Sequence, residues 1–249
     1  MSRRDDEEAA AYRAAPDGEA YLRAHSGLPG PRGNLELIDV ASAATDRSEL
    51  VRWAALGPEV APENTPDVFL ACVGTVGLGR LVAAGDRSLL PTLHRLANDP
   101  RWRVREAVAM ALQAWGDVDV DGLVEEMGRW ADGSALEGRA AMAALCEPRL
   151  LRDRQAVAAT LAILARLTVS VRNAAGGGGA DVRVLRQALG YGWSVVIAAD
   201  VAIGLPAFEP WLADPNPDVR WIVRENLAKA RLSRVAPDWV ERARAQLAG

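Results

Sequence analysis

The sequence predicts an all-α fold, a solenoid of antiparallel helix pairs, and three observations predict it. The first is a phrase written twice, 115 residues apart: Asp99-Pro100-Arg101-Trp102-Arg103-Val104-Arg105 and Asp214-Pro215-Asn216-Pro217-Asp218-Val219-Arg220 share Asp, Pro, Val and Arg at the same offsets. Both copies reach a leucine 13 residues after the aspartate, at Leu112 and Leu227, and a degraded third copy keeps Asp46 before Val51-Arg52. The second is composition: half the residues are apolar but only 5% are aromatic, alanine is abundant and β-branched runs are few, which favours close-packed helices over a sheet. The third is punctuation, since capping residues and prolines recur at helix-length intervals. A helix, a turn opened by Asp-Pro and a second helix starting near Val-Arg form one unit of a stacked array, because a single hairpin cannot bury its own apolar face.

Each element has its own local reason. Residues 1–33 read as a charged, partly disordered tail, with three arginines against six acids in residues 1–19 and a Pro-Gly loop at residues 28–33; the array is expected over residues 34–249. Asn34 caps one helix and Asp46 or Ser48 opens another toward Leu56. Thr65-Pro66 supply a cap and a first-turn proline for a long apolar helix from Asp67 to about Ala84. A hairpin follows, Ser88–Ala97 and Pro100–Trp115, with Val104, Ala107, Val108, Ala111 and Leu112 forming an apolar stripe at helical spacing. Asp119, Ser134 and Asp153 open three more helices, ending near Asp132, Cys146 and Arg172. After the flexible Gly176–Gly179 tract, helices are expected at roughly 181–189 and 193–203. Pro206–Ala213 pairs with Pro217–Arg231, and Pro237 starts a closing helix.

At this point the turn phrase resembles the HEAT-repeat family, stacks of antiparallel helix pairs, and the resemblance implies a right-handed α-solenoid. The pattern covers about residues 35–235, and only the copies at Asp99 and Asp214 match well. The resemblance implies that Asp99 with Arg105, and Asp214 with Arg220, form structural ladder bonds between neighbouring repeats. It also implies a scaffold or adaptor that binds a protein partner on its concave surface, formed by successive second helices. A second resemblance is to the HEAT-like bacterial DNA alkylation-repair glycosylases. It implies DNA binding in a groove with an aspartate beside aromatic rings, parts that Trp130 with Asp132 or Trp193 with Asp200 would fill.

The chemistry-bearing residues are sparse. There is no His-Glu-x-x-His, Gly-x-Ser-x-Gly or Gly-x-x-x-x-Gly-Lys-Ser/Thr pattern, and the two histidines, His25 and His94, are isolated, so neither a catalytic residue, a metal nor a cofactor is expected. Gly74-Thr75-Val76-Gly77-Leu78-Gly79 reverses the dinucleotide-binding spacing and follows no strand; its glycines suit close helix packing. Cys72 and Cys146 sit in apolar stretches as thiols of a reducing, cytoplasmic setting. No uninterrupted apolar run reaches membrane-spanning length. Net charge is −4, giving no global attraction to nucleic acid or anionic lipid.

What remains is arginine beside tryptophan. Of 29 basic residues, 28 are arginine and Lys229 is the exception. Arg101, Trp102 and Arg103 cluster in one copy; Trp221, Arg224 and Arg231 cluster in and after the other. Trp102 and Trp221 each lie two residues from a buried valine, so part of each ring should leave the core and suit a contact surface. These six are the candidate binding residues, with a protein as the expected partner and DNA as the alternative.

Overall fold

The computed structural model describes residues 3–174 and 179–248, and among these every regular element is helical. The chain divides into two compact units, Met1–Val118 and Asp119–Gly249. The Gly176–Gly178 part of the glycine tract lies outside the described residues.

The first unit holds α1 (Arg3–Ala14), α2 (Gly18–His25), α3 (Leu35–Ala44), α4 (Arg47–Ala54), α5 (Pro66–Ala83), α6 (Leu90–Leu96) and α7 (Trp102–Gly116). The long apolar helix expected after Thr65-Pro66 is its centre: 13 of the 18 residues of α5 are buried, and it packs against α2, α3, α4, α6 and α7. Its glycines explain how neighbours come so close. A Cβ added at Gly74 would stand 2.4 Å from the Ala54 amide nitrogen of α4, and one at Gly79 would stand 2.2 Å from the Ala111 carbonyl oxygen of α7. Caps expected from sequence form at Asn34, whose side chain accepts from the Leu37 amide, and at Asp46, which accepts from Glu49.

The N-terminal stretch departs from the expected loose tail. It forms two helices, α1 packing on α3 and α2 on α5, with Leu22 fully buried. Composition hid this because the ties are polar and distant in sequence. Tyr12 and Thr45 hydroxyls lie 2.7 Å apart, Asn34 donates to Glu8 at 2.8 Å, and Arg23 donates to Asp67 at 2.8 Å. The Pro-Gly loop is also held: the Gly30 amide donates to Asn64, and the Gly30 carbonyl accepts from Arg103 at 2.6 Å. The expected boundary at residues 33/34 therefore falls inside this unit.

The second unit holds α8 (Val120–Trp130), α9 (Ala135–Leu145), α10 (Arg154–Asn173), α11 (Ala180–Ala199), α12 (Val201–Phe208), α13 (Pro217–Leu227), α14 (Ala230–Val235) and α15 (Pro237–Ala248). Its centre is α11, one continuous helix where two shorter ones were expected. Gly190 and Gly192 do not break it, because both are used by neighbours: a Cβ at Gly190 would meet the Trp221 ring of α13 at 2.8 Å, and one at Gly192 would meet Cys146 and Met142 at 3.0 Å. Tertiary packing outweighs the roughly 1 kcal/mol helix penalty of each glycine. The second copy of the phrase also opens differently from expectation: Pro206 lies inside α12, Glu209–Ala213 is a tighter 3-10 turn, and α13 stops at Leu227 before the separate α14.

Register shows α9, α11 and α13 running in one direction. Gly138 faces Leu185 while Met142 and Cys146 face Gly192; Arg186 pairs with Asp218, and the Ser194 amide donates to Asn226 at 2.8 Å. Helix α10 packs against both α8 and α12. Two helices, α5 and α10, are long and apolar enough to cross a membrane, with 72% and 50% of their apolar windows buried inside the fold.

One carboxylate joins two helices of the first unit. Glu19 of α2 accepts from the Trp53 indole at 2.9 Å and from Arg52 at 2.5 Å, and pairs with Arg23 at 3.0 Å. Burial alone would raise its pKa, but these hydrogen bonds and the Arg52 charge hold it down at about 2, from an ordinary 4.5. A carboxylate depressed in the folded state adds stability that is complete above its unfolded pKa and is lost as pH falls toward the folded one. Urea midpoints of the wild-type protein should fall as pH drops from about 4.5 to about 2, and Glu19→Gln should flatten that fall. Identical pH profiles for the two would refute the assignment.

Candidate functional site

The turn of the first copy is built around a buried ion pair. The Asp99 carboxylate accepts from the Arg101 amide, Nε and Nη2 at 2.8, 2.8 and 2.7 Å, and Arg101 Nη1 donates to the Ala61 carbonyl at 3.0 Å. The Arg101 side chain is only 3% exposed. Arg103 is buried too, 3.2 Å from Glu63 and donating to Asn64 and Gly30. Both were expected in a contact surface; both instead hold the turn before α5 and the Pro-Gly loop against the start of α7. The expected Asp99–Arg105 bond between repeats is replaced, because Arg101 is nearer and takes the carboxylate. Arg105 donates to the Asp99 and Pro100 carbonyls of its own turn at 2.6 and 2.9 Å. Trp102 alone of this cluster reaches solvent, 46% exposed, with the Arg103 guanidinium 4.5 Å from its ring centre.

The second copy bonds between elements, with different partners from those expected. Asp214 lies 3.5 Å from Arg172 at the end of α10, and Asn216, the cap of α13, donates to the Arg172 carbonyl. Arg220 donates to the Leu247 carbonyl of α15 at 3.2 Å. The neighbouring candidates form a surface between α11, α13 and α14. The Trp221 ring lies across Gly190 and beneath Arg186, whose guanidinium is 4.7 Å from its centre. Tyr191 is 44% exposed and carries Arg231 4.2 Å above its ring, with the arginine also donating to the tyrosine hydroxyl at 2.6 Å. Arg224 is exposed on α13.

Sequence reasoning missed the α11 half of this surface: Arg183, Arg186, Gly190 and Tyr191. The available signal was Gly190-Tyr191-Gly192 inside a helix-forming stretch, which points to close neighbours on two sides. The residue pairs implied by alkylation repair do not form a site. Trp193 is fully buried and donates to Thr168, while Asp200 caps α12. Trp130 is buried and donates to Glu126, while Asp132 pairs with Arg166. A ring sealed in the core has no face on which to stack a base.

Elsewhere little is poised for chemistry. Burial pushes the Cys72 thiol up to about 12 and raises that of Cys146 as well. Among the described residues no group of three His, Cys, Asp or Glu side chains could hold a metal ion. A cavity of about 150 Å³ between α9, α10 and α11 is lined by Ser134, Ser170 and apolar residues, with no titratable group.

Residues 89–118 match the HEAT repeat family model. The match spans α6, the Asp99 turn and α7, so the hairpin first seen as a repeated phrase is a HEAT repeat. Neither a curated protein nor a solved structure matches the chain.

The buried pair predicts an order of effects. Arg101→Ala strands the Asp99 carboxylate and should cost about 3–5 kcal/mol, whereas Arg105→Ala removes hydrogen bonds to carbonyls and should cost about 1–3 kcal/mol. Urea denaturation of the two variants checks this, and an Arg105 variant less stable than the Arg101 variant would contradict it.

Proposed function

We propose that this protein is a non-catalytic, cytoplasmic scaffold whose units are short right-handed stacks of HEAT-like hairpins, and that it binds a protein partner. The observation that carries the reading is the HEAT repeat at residues 89–118. The second unit supports it, since helices α9, α11 and α13 run in one direction as the second helices of stacked hairpins do. Stacking of this kind makes an extended surface for recognition without a deep pocket. The exposed or half-exposed aromatics on the two phrase-bearing helices and α11, namely Trp102, Trp221 and Tyr191, are each backed by an arginine. Aromatic rings and arginine together are the residue types enriched at protein interfaces.

DNA is the competing partner, and charge argues against it. A duplex reader neutralises several phosphates and loses roughly 10³–10⁵ in affinity between low and physiological salt. Here many arginines are committed to carboxylates or carbonyls of the fold itself, and the chain is net negative. Fluorescence anisotropy of a labelled duplex across a salt series tests this. No binding even at low salt is expected. Micromolar binding that falls steeply with salt would replace the scaffold reading with a nucleic-acid one.

A further inference from the structure

The surface shared by α11, α13 and α14 has a definite charge pattern. Arg186 is paired with Asp218, and Lys229 with Glu225 at 3.1 Å. That leaves Arg183, Arg224 and Arg231 without a carboxylate partner among the described residues. Arg183 and Arg224 are exposed, and Arg231 is pinned in place by its stack on Tyr191. Arg183 precedes Arg186 by one turn on the side of α11 that faces α13, and Arg224 follows Trp221 by one turn. The result is an excess of positive charge, with Arg231 held on an aromatic ring and Arg183 and Arg224 exposed, in a protein that is negative overall.

Resting on the scaffold reading above, we propose that this surface docks an acidic, carboxylate-rich peptide segment of the partner protein. Guanidinium groups offer paired donors that match a carboxylate, and Arg231, held by Tyr191, gives up little side-chain freedom when it engages one. Helix geometry puts Arg183 about 12 Å along α11 from Tyr191 and Arg231. An extended chain covers that distance in about four residues and returns its side chains to the same face. The fitting segment is therefore extended, with acidic residues four apart. A nucleic acid fits less well. One face of each ring is already covered by an arginine, so stacking of unpaired bases is obstructed, and three unpaired cations are few for tracking a phosphate backbone.

The test uses the full-length protein and three labelled probes: a short glutamate-rich peptide with acidic residues four apart, the same peptide with glutamine for glutamate, and a duplex oligonucleotide. The wild-type protein should bind the glutamate peptide, more weakly as salt rises, and bind neither the glutamine peptide nor the duplex. The double variant Arg183→Glu with Arg224→Glu should weaken the glutamate peptide at least about ten-fold. Both side chains are exposed, so circular dichroism should show the fold unchanged; Arg224→Glu alone serves if it does not. Equal binding of the two peptides, or glutamate-peptide binding untouched by the charge reversals, would overturn the proposal while leaving the scaffold reading in place. Duplex binding abolished by the reversals would overturn both.

Discussion

Close approach of helices at glycine is the constraint on which both units depend. In the first unit α5 is gripped on two sides, by α4 at Gly74 and Gly77 and by α7 at Gly79. In the second, α11 is gripped by α13 at Gly190 and by α9 at Gly192. The distances decide how strict each site is. At Gly79 the obstacle is the α7 backbone at 2.2 Å, which cannot turn aside, whereas at Gly192 it is the ends of Met142 and Cys146. Interiors are packed too densely to absorb even one added methyl group without shifting a neighbour. A central helix that admits its neighbours this closely lets a chain with only 13 aromatic residues fill its core with alanine, valine and leucine.

Arginine then does two different jobs. Arg101, Arg103 and Arg52 are drawn into the framework, where each ties together segments 33 to 73 residues apart in sequence. Where carboxylate or carbonyl acceptors are close, the guanidinium is consumed and the surface loses a charge. Around α11 and α13 the acceptors run short: Arg231 lies on the Tyr191 ring, and Arg183 and Arg224 are exposed. Arginine within the repeated phrase is structural in both units, at Arg101, Arg103 and Arg105 in the first and at Arg220 in the second, while Arg183, Arg224 and Arg231, outside the phrase, have no carboxylate partner among the described residues. The difference is set by neighbours rather than by local sequence.

That division explains what the sequence made legible. Helix caps and prolines are local signals, and they placed α3 to α5, α8 to α10 and α13 within a few residues, because an Asp, Asn or Ser cap acts on amides three positions away. The repeated phrase was enough to identify the HEAT repeat later matched at residues 89–118. Long-range choices were not legible. Which acceptor takes Arg101, whether Gly190 breaks a helix or admits Trp221, and whether an acidic N-terminus packs all depend on residues 26 to 40 positions distant. The candidate binding residues divided the same way: Arg224, Trp221 and Arg231 lie around α11, α13 and α14, while Arg101 and Arg103 are buried.

The most direct test of the glycine constraint compares alanine at two helical glycines. In an open helix, Gly→Ala stabilises by roughly 0.5–1 kcal/mol through backbone entropy. Gly128 in α8 is such a position, with only the tip of Arg166 within 4 Å of a new Cβ. Gly79 is the opposite case, where a backbone collision should override that gain by about 1–3 kcal/mol or more. Thermal or urea unfolding should therefore show Gly128→Ala unchanged or more stable and Gly79→Ala markedly less stable. Equal or increased stability for Gly79→Ala would contradict the close packing of α5 against α7 and the account built on it.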